Sequence, residues 1–230
     1  MKHFKRIIAA MLIVVLALGC MSGASAASVT NFNDVKSGSW YYDAVRWACR
    51  EDITSGTSNT TFSPNRVCTR AQFLTFLWRD ACCPQPSKDS KGNLTIPFAD
   101  VNSSAYYAKA VAWACQKGIC TGEYINGVRC FRPNDTISRA EVVTFLWRAL
   151  GSRVDYETVK TYYDVPPSAY YSHAVFFLSD QKIISGTAEG YFSPMKSCTR
   201  AEAVTFLYRT VKQHLGGKDS LLGYIPFRAA

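Results

Sequence analysis

Apolar and polar positions along this chain fall into two helical patterns, and each pattern occurs three times. The first runs through Trp40, Ala44, Trp47 and Ala48, then Tyr106, Ala110, Trp113 and Ala114, then Tyr170, Ala174, Phe177 and Leu178. Offsets of 0, 4, 7 and 8 place these residues on one face of an α-helix. A helix of about three turns is marginal alone in water, so the three faces are expected to pack together. The helices should stop near Asp52, Gly118 and Lys182. Gly118 suits a left-handed C-terminal cap, Asp52 tolerates one, and Lys182 is an unfavourable choice.

The second pattern is apolar on most sides: Phe73, Leu74, Phe76, Leu77 and Trp78; Val142, Val143, Phe145, Leu146 and Trp147; Ala203, Val204, Phe206, Leu207 and Tyr208. It predicts a deeply buried helix. Its start is marked by Thr69, Ser138 and Thr199, each followed three residues later by Gln72, Glu141 or Glu202, the capping-box arrangement. Ahead of each start stands a Phe-x-Pro turn at Phe62, Phe131 and Phe192, and an arginine follows each proline by six positions: Arg70, Arg139 and Arg200. Such regularity marks a repeat protein.

Each copy opens on an aromatic, a spacer and Asp-Val, with the aspartates at Asp34, Asp100 and Asp164. A loop after the first helix carries Gly56, Gly122 and Gly186. From that glycine to the Phe-x-Pro proline is 11 positions in the second copy and 8 in the others. Cys120 and Cys130 flank this insertion and are expected to form a disulfide that staples it. The copies are placed at residues 32–83, 96–150 and 162–212, with linkers at 84–95 and 151–161 and a tail at 213–230.

Residues 1–26 combine Lys2, Lys5 and Arg6, an apolar run from Ile7 to Leu18, and Ala24-Ser25-Ala26, which reads as a cleaved secretory signal peptide. The run is shorter than the roughly 20 residues that span a bilayer, and the mature chain is expected to carry no transmembrane segment. Removing the signal lowers the formal charge from +9 to +6. The remaining cations are dispersed, which argues against nucleic acid and suits an acidic polymer. Of nine cysteines, eight lie beyond residue 26, an even number that favours disulfides in an exported chain. No zinc-knuckle spacing is present and the histidines are scattered, so neither a metal nor another cofactor is expected.

Aromatic-x-Asp-Val, an amphipathic helix, a glycine loop, Phe-x-Pro and Thr-Arg-Ala-Glu together closely resemble the S-layer homology repeat of bacterial surface proteins, over roughly residues 32–210. The resemblance implies an all-α fold: three repeats around a pseudo-threefold axis, a central three-helix bundle, and grooves between the lobes. It implies non-covalent attachment to the cell wall through an anionic, often pyruvylated, secondary wall polysaccharide. It maps ligand contact onto Arg70, Arg139 and Arg200, with contributions near Asp34, Asp100 and Asp164 and near Gly56, Gly122 and Gly186. Gln72 departs from the pattern, where the other copies have glutamate.

The residues themselves leave some alternatives open. A cation in the first turn opposes the helix dipole by about 0.3–1 kcal/mol, so an arginine there, three times over, points to a use. With the free amides of the helix start it can hold a carboxylate or phosphate; alternatively it pairs with a nearby aspartate and braces the repeat. The aspartates either cap the turn into the first helix or accept hydrogen bonds from sugar hydroxyls. Trp40, Tyr106 and Tyr170 either stack on a sugar or belong to the core. No catalytic constellation recurs, so the chain reads as a binding module and not an enzyme, with self-assembly or a surface-protein partner as the alternative role.

Overall fold

The computed structural model describes residues 32–154 and 161–214. The expected signal peptide, part of the second linker and the tail beyond residue 214 lie outside the described residues. Among the described residues, six α-helices follow in order: α1 (Tyr42–Arg50), α2 (Arg70–Asp80), α3 (Ala108–Gln116), α4 (Arg139–Ala149), α5 (Ser172–Asp180) and α6 (Arg200–Arg209). A single turn of π-helix, Thr210–His214, extends the last of them.

The all-α reading holds, with one departure in the second-copy insertion. There β1 (Glu123–Ile125) and β2 (Val128–Cys130) pair antiparallel, with Glu123 opposite Cys130. Asn126 and Gly127, at φ 51° and 79°, supply the two left-handed residues that such a tight turn needs. Cys120 and Cys130, the ends of the expected disulfide, are both thiols in this structure. Backbone pairing of β1 with β2 closes the insertion. Cys120 is buried with its Sγ 3.9 Å from the Val111 carbonyl, while Cys130 is strand-bound opposite another residue.

The first helix of each copy buries the expected face: Ala44, Trp47 and Ala48, then Ala110, Trp113 and Ala114, then Ala174, Phe177 and Leu178. The aromatic that begins the pattern does not join them. Trp40, Tyr106 and Tyr170 are 61%, 64% and 59% exposed. The helices start only at Tyr42, Ala108 and Ser172, so the leading aromatic precedes helical geometry. It meets the next tyrosine edge-on, at 5.1, 5.0 and 5.0 Å between ring centroids.

These helices all end in the same way. Asp52, Gly118 and Lys182 adopt φ of 55°, 70° and 57°, and the amides of Ile53, Ile119 and Ile183 reach back to Ala48, Ala114 and Leu178 at 2.8, 2.8 and 2.9 Å. This is a Schellman closure, and the isoleucine that completes it is wholly buried in every copy. Burial of that side chain, worth about 1.5–3 kcal/mol, offsets the strain of a left-handed lysine at 182.

The second helices are central. Each is preceded by the expected capping box, with both reciprocal hydrogen bonds formed. α6 contacts both α2 and α4, and Phe73 of α2 stacks on Phe145 of α4 at 6.4 Å. Around them the first helices pack on a different copy from their own: α3 on α2, α5 on α4, and α1 on α6. The last pairing brings the two ends of the repeat array together.

The segments leading into the second helices complete the closure. The amide of Cys68 donates to the carbonyl of Cys198 at 2.9 Å, that of Cys198 to Ile137 at 2.8 Å, and that of Ile137 to Cys68 at 2.9 Å. Three equivalent residues thus form a hydrogen-bonded cycle. A second relay surrounds it, in which the amides of Ala71, Ala140 and Ala201 donate to the carbonyls of Pro133, Pro194 and Pro64. Each helix start is therefore seated on the Phe-x-Pro turn of another copy.

Candidate functional site: the grooves between repeats

The turn that receives each helix is shaped by the Asp-Val aspartate. Asp34 accepts the amides of Phe62 and Ser63 at 2.9 and 2.7 Å, Asp100 those of Phe131 and Arg132 at 2.8 and 2.6 Å, and Asp164 those of Phe192 and Ser193 at 2.9 and 2.7 Å. The second residue of each pair is left-handed, with φ of 60°, 57° and 59°. Both carboxylate oxygens hold that unusual turn in place. None of the first helices has a side-chain cap, so capping is not the aspartates' task.

The loop glycine answers to the same motif. A Cβ at Gly56 would lie 2.5 Å from the Thr61 carbonyl and 2.6 Å from the Phe32 ring. At Gly122 it would lie 2.3 Å from the Phe98 ring, and at Gly186 2.4 Å from the Tyr191 carbonyl. Glycine is required because the opening aromatic of the copy packs against this backbone.

The arginines connect the copies. Arg70 donates from Nε to the Phe131 carbonyl at 2.8 Å and pairs through Nη1 with Glu141. Arg139 repeats this on the next copy, with the Phe192 carbonyl at 3.0 Å, Glu202 at 3.3 Å and the Ser185 carbonyl at 2.8 Å. Arg200 reaches the first copy, where it meets the Phe62 carbonyl at 2.9 Å and Thr54 Oγ1 at 3.5 Å. Each guanidinium also lies over two phenylalanine rings, 4.6–5.7 Å from their centroids. Bracing is thus part of the arginines' role, through glutamate and backbone carbonyls of another copy and not through an aspartate.

Arg200 differs from the other two. Its carboxylate partner is replaced by Gln72, and burial lowers its pKa from the ordinary arginine value. A buried guanidinium without a counter-ion is costly unless something anionic compensates it.

Two of the grooves are open cavities built from all three copies. One, of 310 Å³, is lined by the first-copy loop Thr54–Thr57, by Gln72, Arg66 and Arg79, by Tyr106 of the second copy and by Arg200 of the third. The other, of 470 Å³, is lined by Gly122, Glu123, Arg132, Glu141 and Arg148, with Arg70 of the first copy and Tyr170 of the third. Three arginines face the first with no carboxylate among its lining residues, whereas Glu123 and Glu141 oppose the arginines of the second. Burial raises the pKa of the Tyr106 and Tyr170 hydroxyls, so both remain neutral hydrogen-bonding groups at physiological pH.

The two cavities therefore gather Arg70, Arg200, Gly56, Gly122, Tyr106 and Tyr170; Arg139, Gly186 and Trp40 line neither of them, and the aspartates stay behind the turn. Arg79 and Arg148 also line them, although the motifs did not single these residues out. Their signal was available: a basic residue stands nine positions after each motif arginine, at 79, 148 and 209. Among the described residues, no group of His, Cys, Asp and Glu stands together as metal ligands.

A family model described as S-layer homology domain matches residues 31–74, 97–143 and 161–204. An endoglucanase of Bacillus sp. (strain KSM-635) is 29% identical over 93% of this chain and 23% of its own length. An S-layer protein of Bacillus thuringiensis subsp. finitimus is 26% identical over 91% of the chain and 25% of its own length, and S-layer protein sap of Bacillus anthracis is 27% identical over the same shares. The chain spans a quarter or less of the length of these relatives.

Proposed function

The chain belongs to the S-layer homology domain family, and on that premise we propose that it is a non-catalytic anchoring module whose grooves hold an anionic, pyruvylated wall polysaccharide. It is a secreted protein of the cell surface or wall, and no described helix is long and apolar enough to cross a membrane. The same stretch recurs as a minor part of relatives named as an endoglucanase and as S-layer proteins, which supports a role shared by proteins of unlike activity.

The observation that carries the proposal is the first-copy groove, where Arg66, Arg79 and Arg200 converge without a carboxylate beside the exposed ring of Tyr106. A planar guanidinium can bind a pyruvyl carboxylate bidentately, and a tyrosine ring offers a face to the sugar. This groove is the first-choice site; the second-copy groove, partly neutralised by Glu123 and Glu141, is the weaker one.

The test is a pull-down with native wall sacculi before and after acid removal of the polysaccharide. Binding should be lost on stripping. Binding that survived would reject the polysaccharide as ligand. The alternative reading, self-assembly, is favoured by the S-layer relatives, and sedimentation of the purified chain without wall material would detect it directly.

A further inference from the structure

The seams of the ring are not equivalent. Peptide linkers join the first copy to the second and the second to the third, whereas the seam between the first and third copies is held among the described residues by side-chain packing and hydrogen bonds. Cysteines stand on both sides of this third seam. Val67 and Thr199 are antiparallel bridge partners, and the next residues inward, Cys68 and Cys198, are joined by one 2.9 Å hydrogen bond between their backbones, while the Cys198 amide turns to Ile137. The second copy has Ile137 at this position.

We propose that Cys68 and Cys198 form a disulfide in the exported protein and so supply the covalent link that the third seam lacks. A backbone hydrogen bond between antiparallel neighbours sets their Cα atoms about 5.5 Å apart, within the roughly 4.4–6.8 Å that disulfides span. Both side chains are fully buried, and both are thiols in this structure. Cys120 and Cys130 have no such opposition, since Cys130 faces Glu123.

The chemistry requires an oxidant, a disulfide-carrying thiol oxidoreductase or a low-molecular-weight disulfide. A Cys68 or Cys198 thiolate attacks its S–S bond to give a mixed disulfide, and the second cysteine displaces the reduced oxidant. Two thiols lose two protons and two electrons in total, and the oxidant's disulfide becomes two thiols. Burial raises the Cys68 thiol to about 12 and Cys198 well above its ordinary value, so thiolate is scarce once the ring has closed. The bond therefore forms during folding after export, and the closed ring then shields it from reductants.

Cys198 stands two residues before Arg200, which lines the first-copy groove, and Cys68 two residues before Arg70, which lines the second-copy groove. Fixing this seam fixes Arg200 relative to Tyr106 and Arg79 without requiring any particular ligand. The cross-link stands whether or not the polysaccharide reading holds.

The test is peptide mapping of the full exported chain, alkylated in denaturant without reduction and digested with trypsin. The peptides Val67–Arg70 and Ser197–Arg200 should appear joined, and should separate on reduction. Recovery of either as the alkylated thiol, or joined to another cysteine, overturns the proposal. Cys68→Ala and Cys198→Ala should each lower Tm by about 10 °C, and the double variant should lose little more, because either change removes the same bond. Fully additive losses would instead indicate two independent packing defects.

Discussion

At the scale of single residues, the arginines brace one copy against another and, in the proposed function, also meet the ligand. Arg139 is buried and bound to two carbonyls and Glu202. Arg139→Ala leaves those groups unpaired and should cost about 3–5 kcal/mol by urea denaturation, beyond any loss of wall binding. Gln72 offers a cleaner probe. Gln72→Glu should retain the capping box, give Arg200 the partner that Arg70 and Arg139 have, and raise stability while weakening retention on native sacculi. Unchanged retention would remove the first-copy groove as the principal site. The aspartates give the contrasting case: Asp100→Ala strands two amides of a left-handed turn and should cost about 2–3 kcal/mol in the same unfolding measurement. The motifs revealed which residues recur but not how they divide between scaffold and groove. An aspartate that binds sugar and one that binds its own backbone look alike in sequence, because their partners lie 28–32 positions away.

At the scale of elements, local rules read well wherever they act within one helix. The capping boxes, the buried faces and the left-handed caps at Asp52 and Gly118 follow from spacing and residue type, whereas the cap at Lys182 follows from spacing alone. The aromatics that lead the pattern sit one step outside this domain. Trp40, Tyr106 and Tyr170 share the spacing of the buried face, but helical geometry has not begun there, so the period no longer says where they point. The hairpin at Glu123–Cys130 likewise depends on Asn126-Gly127, a turn signal that sat unused within a segment regarded as loop. Lys182 provides a prediction at this scale. Lys182→Gly relieves a side chain at φ 57° and should raise stability by about 1 kcal/mol, readable as a shift in urea midpoint at constant m.

For the whole molecule, burial of cysteine thiols couples stability to alkaline pH. In the reduced protein, Cys49 and Cys68 ionise only near 11 and 12, against 9.0 when exposed. The unfolded chain therefore releases protons first as pH rises, and stability should fall progressively above pH 9. Equilibrium unfolding of reduced protein between pH 8 and about 11 checks the sign; constant stability across that range would contradict it. No spacing rule foretold which copies would touch, since the pairing of α1 with α6 links positions at opposite ends of the chain.

Closure of the hydrogen-bonded cycle has one further consequence. An open array of repeats has two terminal units, each with one unpartnered face, and these ends fray before the middle and need sealing. Here Ala71 is seated on Pro133, Ala140 on Pro194 and Ala201 on Pro64, so no repeat is terminal. Such a molecule cannot unravel from an end. It should lose all three repeats in one cooperative transition, and a fragment lacking any one copy would create two raw faces where the intact chain has none.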